Sequence, residues 1–142
     1  MTIFRHPVTV GEADLDELGH ANNIGYLRWL QEAAVAHSSA SGLGYQRYLE
    51  LGGVFVVRRH EIDYLRPALR GDELEVRTHV ASVMAAKSER RYEIVRLSDE
   101  VVLSRALTIW GFVDIRSGRP MRIPGEVYDA FGFERRKKNV SG

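Results

Sequence analysis

A single long helical pattern, in a chain whose other segments read as strands, most constrains what this sequence can fold into. Between Ile24 and about Ser39 the pattern has the i, i+3, i+4 spacing of an α-helix. The repeating positions are Leu27, Leu30, Ala33, Ala34 and His37, and Tyr26, Trp29 and Val35 extend the apolar surface around the circumference. We therefore predict that this helix is buried rather than lying on the surface.

The segments on either side of the helix have the composition of strands. Residues 3–12 mix β-branched and polar types, and Pro7 indicates an edge strand or an irregular start. After the helix, strands are predicted at 54–65, 74–80, 90–97 and 101–115, with short helices near 45–51 and 123–131. Leu74, Val76, Thr78 and Val80 alternate with polar residues, as in a half-buried strand.

The resulting order is one strand, one helix and four strands. A single antiparallel sheet of this length has to curl around a hydrophobic core, and the long apolar helix is the element of the sequence that can supply that core. This predicts an α+β hotdog fold, in which a curved sheet of about five strands wraps a central helix. One face and one edge of such a sheet stay poorly covered, so we predict a homodimer, or a homotetramer as the larger assembly.

Composition excludes several classes of function. The chain has 142 residues and is expected to be one domain over 1–133, followed by a flexible basic tail at 134–142. It contains no cysteine, which rules out disulfides, thiolate metal sites and a cysteine nucleophile. A net charge of +1 gives no reason to expect nucleic acid as a partner. No apolar run approaches the roughly 20 residues of a membrane span, so a cytoplasmic protein is expected.

The loop that leads into the helix carries the candidate chemistry. Asp14, Asp16, His20, Asn22 and Asn23 fall within ten residues of one another. Asn22 or Asn23 can cap the helix, since a short side-chain oxygen accepts one of its unpaired N–H groups. A helix N-terminus favours negative charge, so this loop suits chemistry on an oxygen that becomes anionic.

The same loop carries a resemblance to a known family. Residues 14–33, DLDELGHANNIGYLRWLQEA, resemble the D-x-D-x-x-G/Q-H-x-N-N-x-x-Y signature of hotdog thioesterases in the 4-hydroxybenzoyl-CoA thioesterase-like family. Bacterial acyl-CoA thioesterases of the YbgC and YbaW types and plant acyl-ACP thioesterases are similar there. Residues 57–68, 71–74 and 108–110 also look like this family, and the likeness runs from about Val8 to Phe131.

The resemblance implies hydrolysis of an acyl-CoA or acyl-ACP thioester without a cofactor, coenzyme A being part of the substrate. It implies that Asp16 is the nucleophile or general base and that the backbone N–H of Asn23 polarises the carbonyl. It also implies that Lys87 and Ser88, in the turn between the third and fourth strands, meet the nucleotide end of CoA. His20-Ala21-Asn22-Asn23 replaces the aliphatic and aromatic residues of the 4-hydroxybenzoyl-CoA enzymes, and Ala36 lies near a position where relatives often carry arginine.

Other residues allow more than one interpretation. His20 is predicted either to orient Asp16 or to hydrogen-bond a loop carbonyl, and Tyr26 and Arg90 are candidate substrate contacts, Arg90 for CoA phosphates. A metal site from Asp14, Asp16 and His20 is not expected, because their spacing matches no standard ligand set. Glu32 is expected to need a partner on the buried helix.

Two functions from different classes are compatible with these residues. The first is a thioesterase whose acyl pocket lies between the helix and the partner subunit's sheet. The second is a non-catalytic acyl-CoA-binding hotdog protein that uses the same pocket. An aspartate beside a helix start that can stabilise an oxyanion favours the thioesterase, since a binding protein needs no carboxylate at the thioester. A hydratase ranks last, because no histidine is paired with a carboxylate as that chemistry requires.

Overall fold

A computed structural model describes residues 2–135 of the chain. Its strands are β1 (Phe4–Thr9), β2 (Gly53–Tyr64), β3 (Glu73–Met84), β4 (Lys87–Arg96) and β5 (Val101–Asp114). Its α-helices are α1 (Asn23–Ala40), α2 (Tyr45–Leu51) and α3 (Gly125–Ala130), and Glu12–Asp14 forms a 3-10 turn. The predicted order of elements is confirmed. Most of the predicted tail, residues 136–142, lies outside the described residues.

The five strands form one antiparallel sheet in the order β1-β3-β4-β5-β2. Pro7 lies on the edge strand β1, as predicted, where its missing N–H leaves no hydrogen bond unmade. The register shifts between Val57 and Arg59 and between Val80 and Ser82, and such irregularities bend a sheet. The predicted α+β fold, a curved five-stranded sheet with a long helix against it, is confirmed.

Helix α1 begins and ends at polar caps. The Asn22 side chain accepts a hydrogen bond from the N–H of Gly25 at 2.9 Å, so Asn22 is the N-cap. The helix ends at Ala40 with Ser41 as its C-cap, and Gly42 follows at a φ of +85°, a left-handed conformation that suits glycine. The predicted helix is therefore confirmed within one residue at each end.

One side of α1 builds the main core. Trp29, Leu30 and Ala33 are almost completely buried, and they belong to one apolar cluster with Val76 and Ile94 of the sheet. A second cluster lies around Leu43, Phe112 and Val127, and it brings α2 and α3 against the sheet.

The other side of α1 is open in the single chain, so the prediction of a buried helix holds for one side only. Ile24 and Val35 are 75% and 64% exposed, and Arg28 and Gln31 lie between them on the same face. The sheet curls around one side of the helix only, because five strands cover a single helix face. Glu32 is accordingly half exposed and pairs with Arg28 across one turn at 3.5 Å.

No helix in residues 2–135 is both long enough and apolar enough to cross a lipid bilayer.

Candidate active site

The loop before α1 folds back on itself. Leu15 and Ala21 pair as an isolated antiparallel bridge, and the N–H of Asp16 donates to the carbonyl of His20 at 2.7 Å. Gly19 closes this turn at a φ of +76°, a conformation that an L side chain rarely adopts. The bridge places Asp16 opposite residues that immediately precede the helix.

One oxygen of the Asp16 carboxylate is held by the loop backbone. Oδ1 accepts hydrogen bonds from the N–H groups of Leu18 at 2.8 Å and His20 at 3.1 Å. Within residues 2–135 we find no hydrogen bond to Oδ2, and the side chain is exposed. The carboxylate is thus oriented through one oxygen while the other is available to a reactant.

The backbone of His20, and not its ring, holds Asp16. The half-buried imidazole makes no hydrogen bond to Asp16 or to a loop carbonyl in the described part of the chain. The two side-chain roles considered for His20 are therefore not observed in this structure. Its backbone N–H supplies the orientation instead, and His20 also bridges to Leu69.

Asp14 supports the loop from inside. Its side chain is 5% exposed, accepts the N–H of Gly11 at 3.0 Å and pairs with Arg28. Its backbone carbonyl accepts the N–H of Asn22 at 2.7 Å, which ties the loop to the N-cap.

The first turn of α1 presents free N–H groups. Asn23 is the first helical residue and is exposed, and its N–H donates to no other described residue. A helix leaves its first N–H groups without partners inside the helix, and here only Gly25 is satisfied by the cap. The helix start is therefore able to donate to an external oxygen.

Tyr26 lies in the core rather than on a substrate-facing surface. It is 3% exposed, its hydroxyl accepts the N–H of Ala68 at 3.0 Å, and its ring packs edge-on against Tyr64. Ala68 in turn accepts the N–H of Ala21 at 2.8 Å. Tyr26 thus stabilises the loop before α1 through Ala68. The structure gives no support to the substrate contact that was expected for Tyr26.

A cavity of about 350 Å³ lies at the other end of α1. Its polar wall includes Ser38, Tyr48, Ser88 and Arg90. The remaining lining is mostly apolar: Ala34, Val35, Leu43, Val54, Phe55, Val80, Trp110 and Phe131, with Ser39 and Tyr45. Residues from the C-terminal half of α1, from α2 and from the sheet line it. The expected acyl pocket between the helix and the partner subunit's sheet stays a prediction.

The structure separates the candidate residues into two groups. Ala34, the first cavity residue on α1, is 11 positions after Asn23, which corresponds to about 16 Å along the helix axis. Asp16 and Asn23 therefore lie at one end of the helix, and Arg90 and Ser88 at the other. Sequence spacing could not show this, because strand β4 is far from the loop along the chain.

The placement of Lys87 and Ser88 in a turn is wrong. The turn is Ala85-Ala86, and both residues belong to β4, where successive side chains point to opposite faces. Lys87 is exposed, whereas Ser88 is buried and its hydroxyl donates to the carbonyl of Ser82 at 3.0 Å. Arg90 is also buried, so of these three side chains Lys87 alone is exposed to solvent.

Two polar cavity residues, Ser38 and Tyr48, were not predicted as site residues from the sequence. Their hydroxyls are 2.8 Å apart, and Ser38 also donates to the carbonyl of Leu43 at 2.7 Å. These contacts join the end of α1 to α2. A serine near a helix end is an ordinary capping signal, so nothing in the local sequence distinguished it.

His37 is neutral in the folded protein. Burial, and then the nearby Arg90 guanidinium, lower the pKa of His37 to about 4. Its Nδ1 lies 2.8 Å from Arg90 Nη1 and accepts that hydrogen bond, and its ring stacks on Phe4 at 5.0 Å. From the sequence, His37 was expected to be a packing or a surface residue; in the structure it packs on Phe4 and contacts the cavity arginine.

This histidine predicts a pH dependence of stability. In the unfolded chain the pKa of His37 is near 6.5, whereas in the folded protein it is about 4. As the pH falls from about 6.5 to 4, the imidazole is therefore protonated in the unfolded state and still neutral in the folded state, which favours unfolding. The stability contributed by His37 is therefore complete above pH 6.5 and is lost across that window. His37→Gln keeps an acceptor for Arg90 and should flatten the loss, measured by urea unfolding at pH 7.5, 6 and 4.5. An unchanged slope would contradict the assignment.

Comparison with known proteins identifies the family. The model of the thioesterase-like superfamily matches residues 10–131. The acyl-CoA thioesterase YbgC of Haemophilus influenzae is 30% identical over 129 residues, which cover 90% of this chain and 93% of that protein. The acyl-CoA thioester hydrolase YbgC of Escherichia coli is 25% identical over 130 residues, covering 92% and 96%.

A solved structure shows the same fold. The crystal structure of a 1,4-dihydroxy-2-naphthoyl-CoA thioesterase from Synechocystis superposes with a TM-score of 0.84 at 23% identity, covering 92% of this chain and 96% of that one. The resemblance proposed from residues 14–33 is thus confirmed, as is the prediction of a thioesterase. The chain belongs to the thioesterase-like superfamily, with the hotdog fold of its thioesterases.

Proposed function

We propose that the protein hydrolyses acyl-CoA thioesters, with Asp16 as nucleophile or general base and the N–H of Asn23 as oxyanion donor. One observation carries the proposal: the carboxylate of Asp16 is oriented through a single oxygen, in a loop that folds back to a helix start with a free N–H. The activities named for the YbgC relatives support the same reaction class.

The reaction needs little more than these groups. A thioester carbonyl is electrophilic and its thiolate leaves readily, so the protein has to supply a nucleophile or activated water and to stabilise the oxyanion. Oδ2 of Asp16 can attack the carbonyl carbon or take a proton from water. In either route the carbonyl oxygen becomes negative, and an N–H at the helix N-terminus stabilises that charge.

The decisive experiment measures release of free thiol from a panel of acyl-CoAs that runs from aromatic to long-chain acyl groups. Turnover of at least one member, saturable in substrate, is the expected result. The same acyl groups on acyl carrier protein decide between the two carriers. Tight binding without turnover of any thioester would instead support the non-catalytic acyl-CoA-binding protein.

Lys87 is the residue proposed to meet the CoA phosphates. It is exposed at the first position of β4. Lys87→Ala should raise KM for acyl-CoA severalfold at low salt and leave kcat nearly unchanged, because a lysine–phosphate contact at the surface is a screened charge interaction. Arg116→Ala, at another exposed cation in the turn after β5, is the control. A KM that Lys87→Ala does not change at low salt would contradict the contact.

The exposed face of α1 supports a homodimer. Ile24 and Val35 are 11 residues apart and on the same face, with Arg28 and Gln31 between them. A two-fold axis perpendicular to the helix makes two copies antiparallel, so that Ile24 of each packs on Val35 of the other. The same operation brings the Asp16 loop of one copy toward the cavity mouth at Val35 of the other. The unpaired edge of β2 lies free to extend the sheet in such a dimer.

Light scattering after size exclusion tests the assembly. We expect about twice the chain mass of 16.1 kDa at micromolar concentration. Val35→Glu places a charge on the apolar end of the proposed contact and should shift the population toward monomer, while Met84→Glu, at another exposed apolar residue, should not. A monomeric wild-type chain would contradict the proposed dimer.

A further inference from the structure

Arg90 is a buried cation inside an otherwise mostly apolar cavity. It lies on the inward face of β4, between Ser88 and Tyr92, and is 4% exposed. Its side chain forms part of the cavity wall and lies over the ring of Phe131, with 5.7 Å from Cζ to the ring centroid. Arginine is rarely buried this completely without a partner of opposite charge.

No such partner is found in residues 2–135. Arg90 forms no ion pair with a described carboxylate, and its recorded hydrogen bonds go to neutral groups. Nη1 donates to Nδ1 of His37 at 2.8 Å and to Oγ1 of Thr78 at 3.2 Å. Burial lowers the pKa of the Arg90 guanidinium, as desolvation of a cation should. A buried charge that lacks a counter-ion is costly to the fold, so a functional reason is required.

The remaining edge of the guanidinium faces the cavity. No hydrogen bond from Nε or Nη2 to a described residue is found. In the described part of the chain, every side-chain nitrogen or oxygen without solvent access has a hydrogen-bond partner. Because Nε and Nη2 of Arg90 have no such partner, both atoms are accessible to solvent. The space they adjoin is the cavity. Nε and Nη2 form the planar fork that binds a carboxylate through two parallel hydrogen bonds.

We propose that this cavity takes an acyl group whose far end carries a carboxylate, and that the carboxylate pairs with Nε and Nη2 of Arg90. The proposal rests on the proposed thioesterase function and on the proposed dimer, because Asp16 and Asn23 of the same chain lie about 16 Å from the cavity along α1, whereas the loop of the second copy comes toward its mouth. It names the substrate class, a dicarboxylic acid joined to CoA through one of its two carboxyls. The apolar walls at Phe55, Val80 and Trp110 suit the methylene chain between the two ends. His37 and Thr78 occupy Nη1 and so fix the orientation of the fork.

A matched pair of substrates tests the specificity. Adipoyl-CoA and hexanoyl-CoA have the same six-carbon chain and differ in the terminal carboxylate. The wild-type enzyme should have the higher kcat/KM for adipoyl-CoA, and Arg90→Met should lower the adipoyl-to-hexanoyl ratio of kcat/KM by about 10- to 100-fold, the range expected for a lost charged hydrogen bond. Arg90→Lys keeps the charge without the fork and should give an intermediate ratio.

The neighbouring arginine provides the control. Arg91 follows Arg90 on the opposite face of β4, is exposed, and pairs with Glu89 at 3.0 Å. Arg91→Met should leave the adipoyl-to-hexanoyl ratio within about twofold of wild type. If wild type hydrolyses hexanoyl-CoA as well as adipoyl-CoA, or if Arg90→Met lowers both activities equally, the inference is overturned while the thioesterase function stands.

A binding measurement separates this inference from the proposed function. Monomethyl adipate carries one carboxylate and methyl hexanoate none, and Trp110 in the cavity wall provides a fluorescence signal. Wild type should bind monomethyl adipate at least tenfold more tightly, and Arg90→Met should remove the difference. If no thioester is hydrolysed but this preference is found, the carboxylate site stands without the hydrolase. Equal affinity for the two esters in the wild-type protein overturns the site, whatever the variant does.

Discussion

Asp16→Asn is expected to lower kcat/KM for acyl-CoA by about 100- to 10,000-fold, the range that a positioned base or nucleophile contributes. The substitution is close to isosteric, and the Asn oxygen can still accept the N–H groups of Leu18 and His20 that hold Oδ1. The loop should therefore keep its conformation while losing the negative charge. Thiol release under single-turnover conditions measures the loss in the chemical step.

Glu17→Gln is the matched control for this experiment. Glu17 is the next residue, is exposed, and undergoes the same loss of a carboxylate charge. It should retain nearly full activity, which would show that local charge alone is not responsible. If Asp16→Asn hydrolysed the substrate at near wild-type rates, the assignment of Asp16 would be wrong, and the non-catalytic interpretation of the loop would gain support.

Leu30→Ala is expected to have the largest effect on stability, about 2–5 kcal/mol. Leu30 is completely buried, on the side of α1 that faces the sheet, and belongs to the core cluster with Trp29 and Val76. Truncation of its side chain removes the apolar contacts with these neighbours and leaves a cavity that the close-packed core fills only in part. Urea unfolding at pH 7.5 gives the change in the free energy of unfolding.

A leucine-to-alanine substitution at the surface is the control, because it removes the same atoms from a side chain that is not buried. Leu18, in the loop before α1, is 79% exposed, so Leu18→Ala should change the free energy of unfolding by no more than about 0.5 kcal/mol. A comparable loss in both variants would mean that α1 does not form the core of the fold in solution.

Much of the fold was predictable because its signals are local. The alternation of Leu74, Val76, Thr78 and Val80 placed the inward face of β3, and all four side chains are buried. Asn22 or Asn23 was predicted to cap α1, and Asn22 does so, because a cap acts within one turn of the chain. Because the sequence has a single long helix, the curved sheet was predicted to pack around that helix.

The burial of α1 was predicted less well. Apolar character around much of the helix predicted a buried helix, but Ile24 and Val35 lie on a face that one chain leaves open. Helical periodicity reports which side chains avoid water in the final assembly and does not report which molecule covers them. The single chain covers one side, and the proposed dimer accounts for the other.

The candidate site also has a part that was predictable from the sequence and a part that was not. The spacing of Asp16, Asn22 and Asn23 within one short loop was readable from the sequence, and so was their proposed chemistry, because neighbouring residues form the whole arrangement. The burial of Arg90 in the cavity wall was not readable. Its neighbours along the chain, Glu89 and Arg91, are charged and point away from the cavity, so the segment resembles a solvated strand.

By itself, the sequence determined the order of elements, the α+β class, the helix caps and the loop that presents Asp16. Each of these depends on interactions between residues close along the chain. Only the tertiary structure decided that Arg90 is buried beside His37 and Thr78, and that the cavity it lines is closed by α1, α2 and the sheet of one chain. His37 and Arg90 are 53 residues apart, and their contact depends on how a helix lies across a curved sheet, which no local pattern encodes.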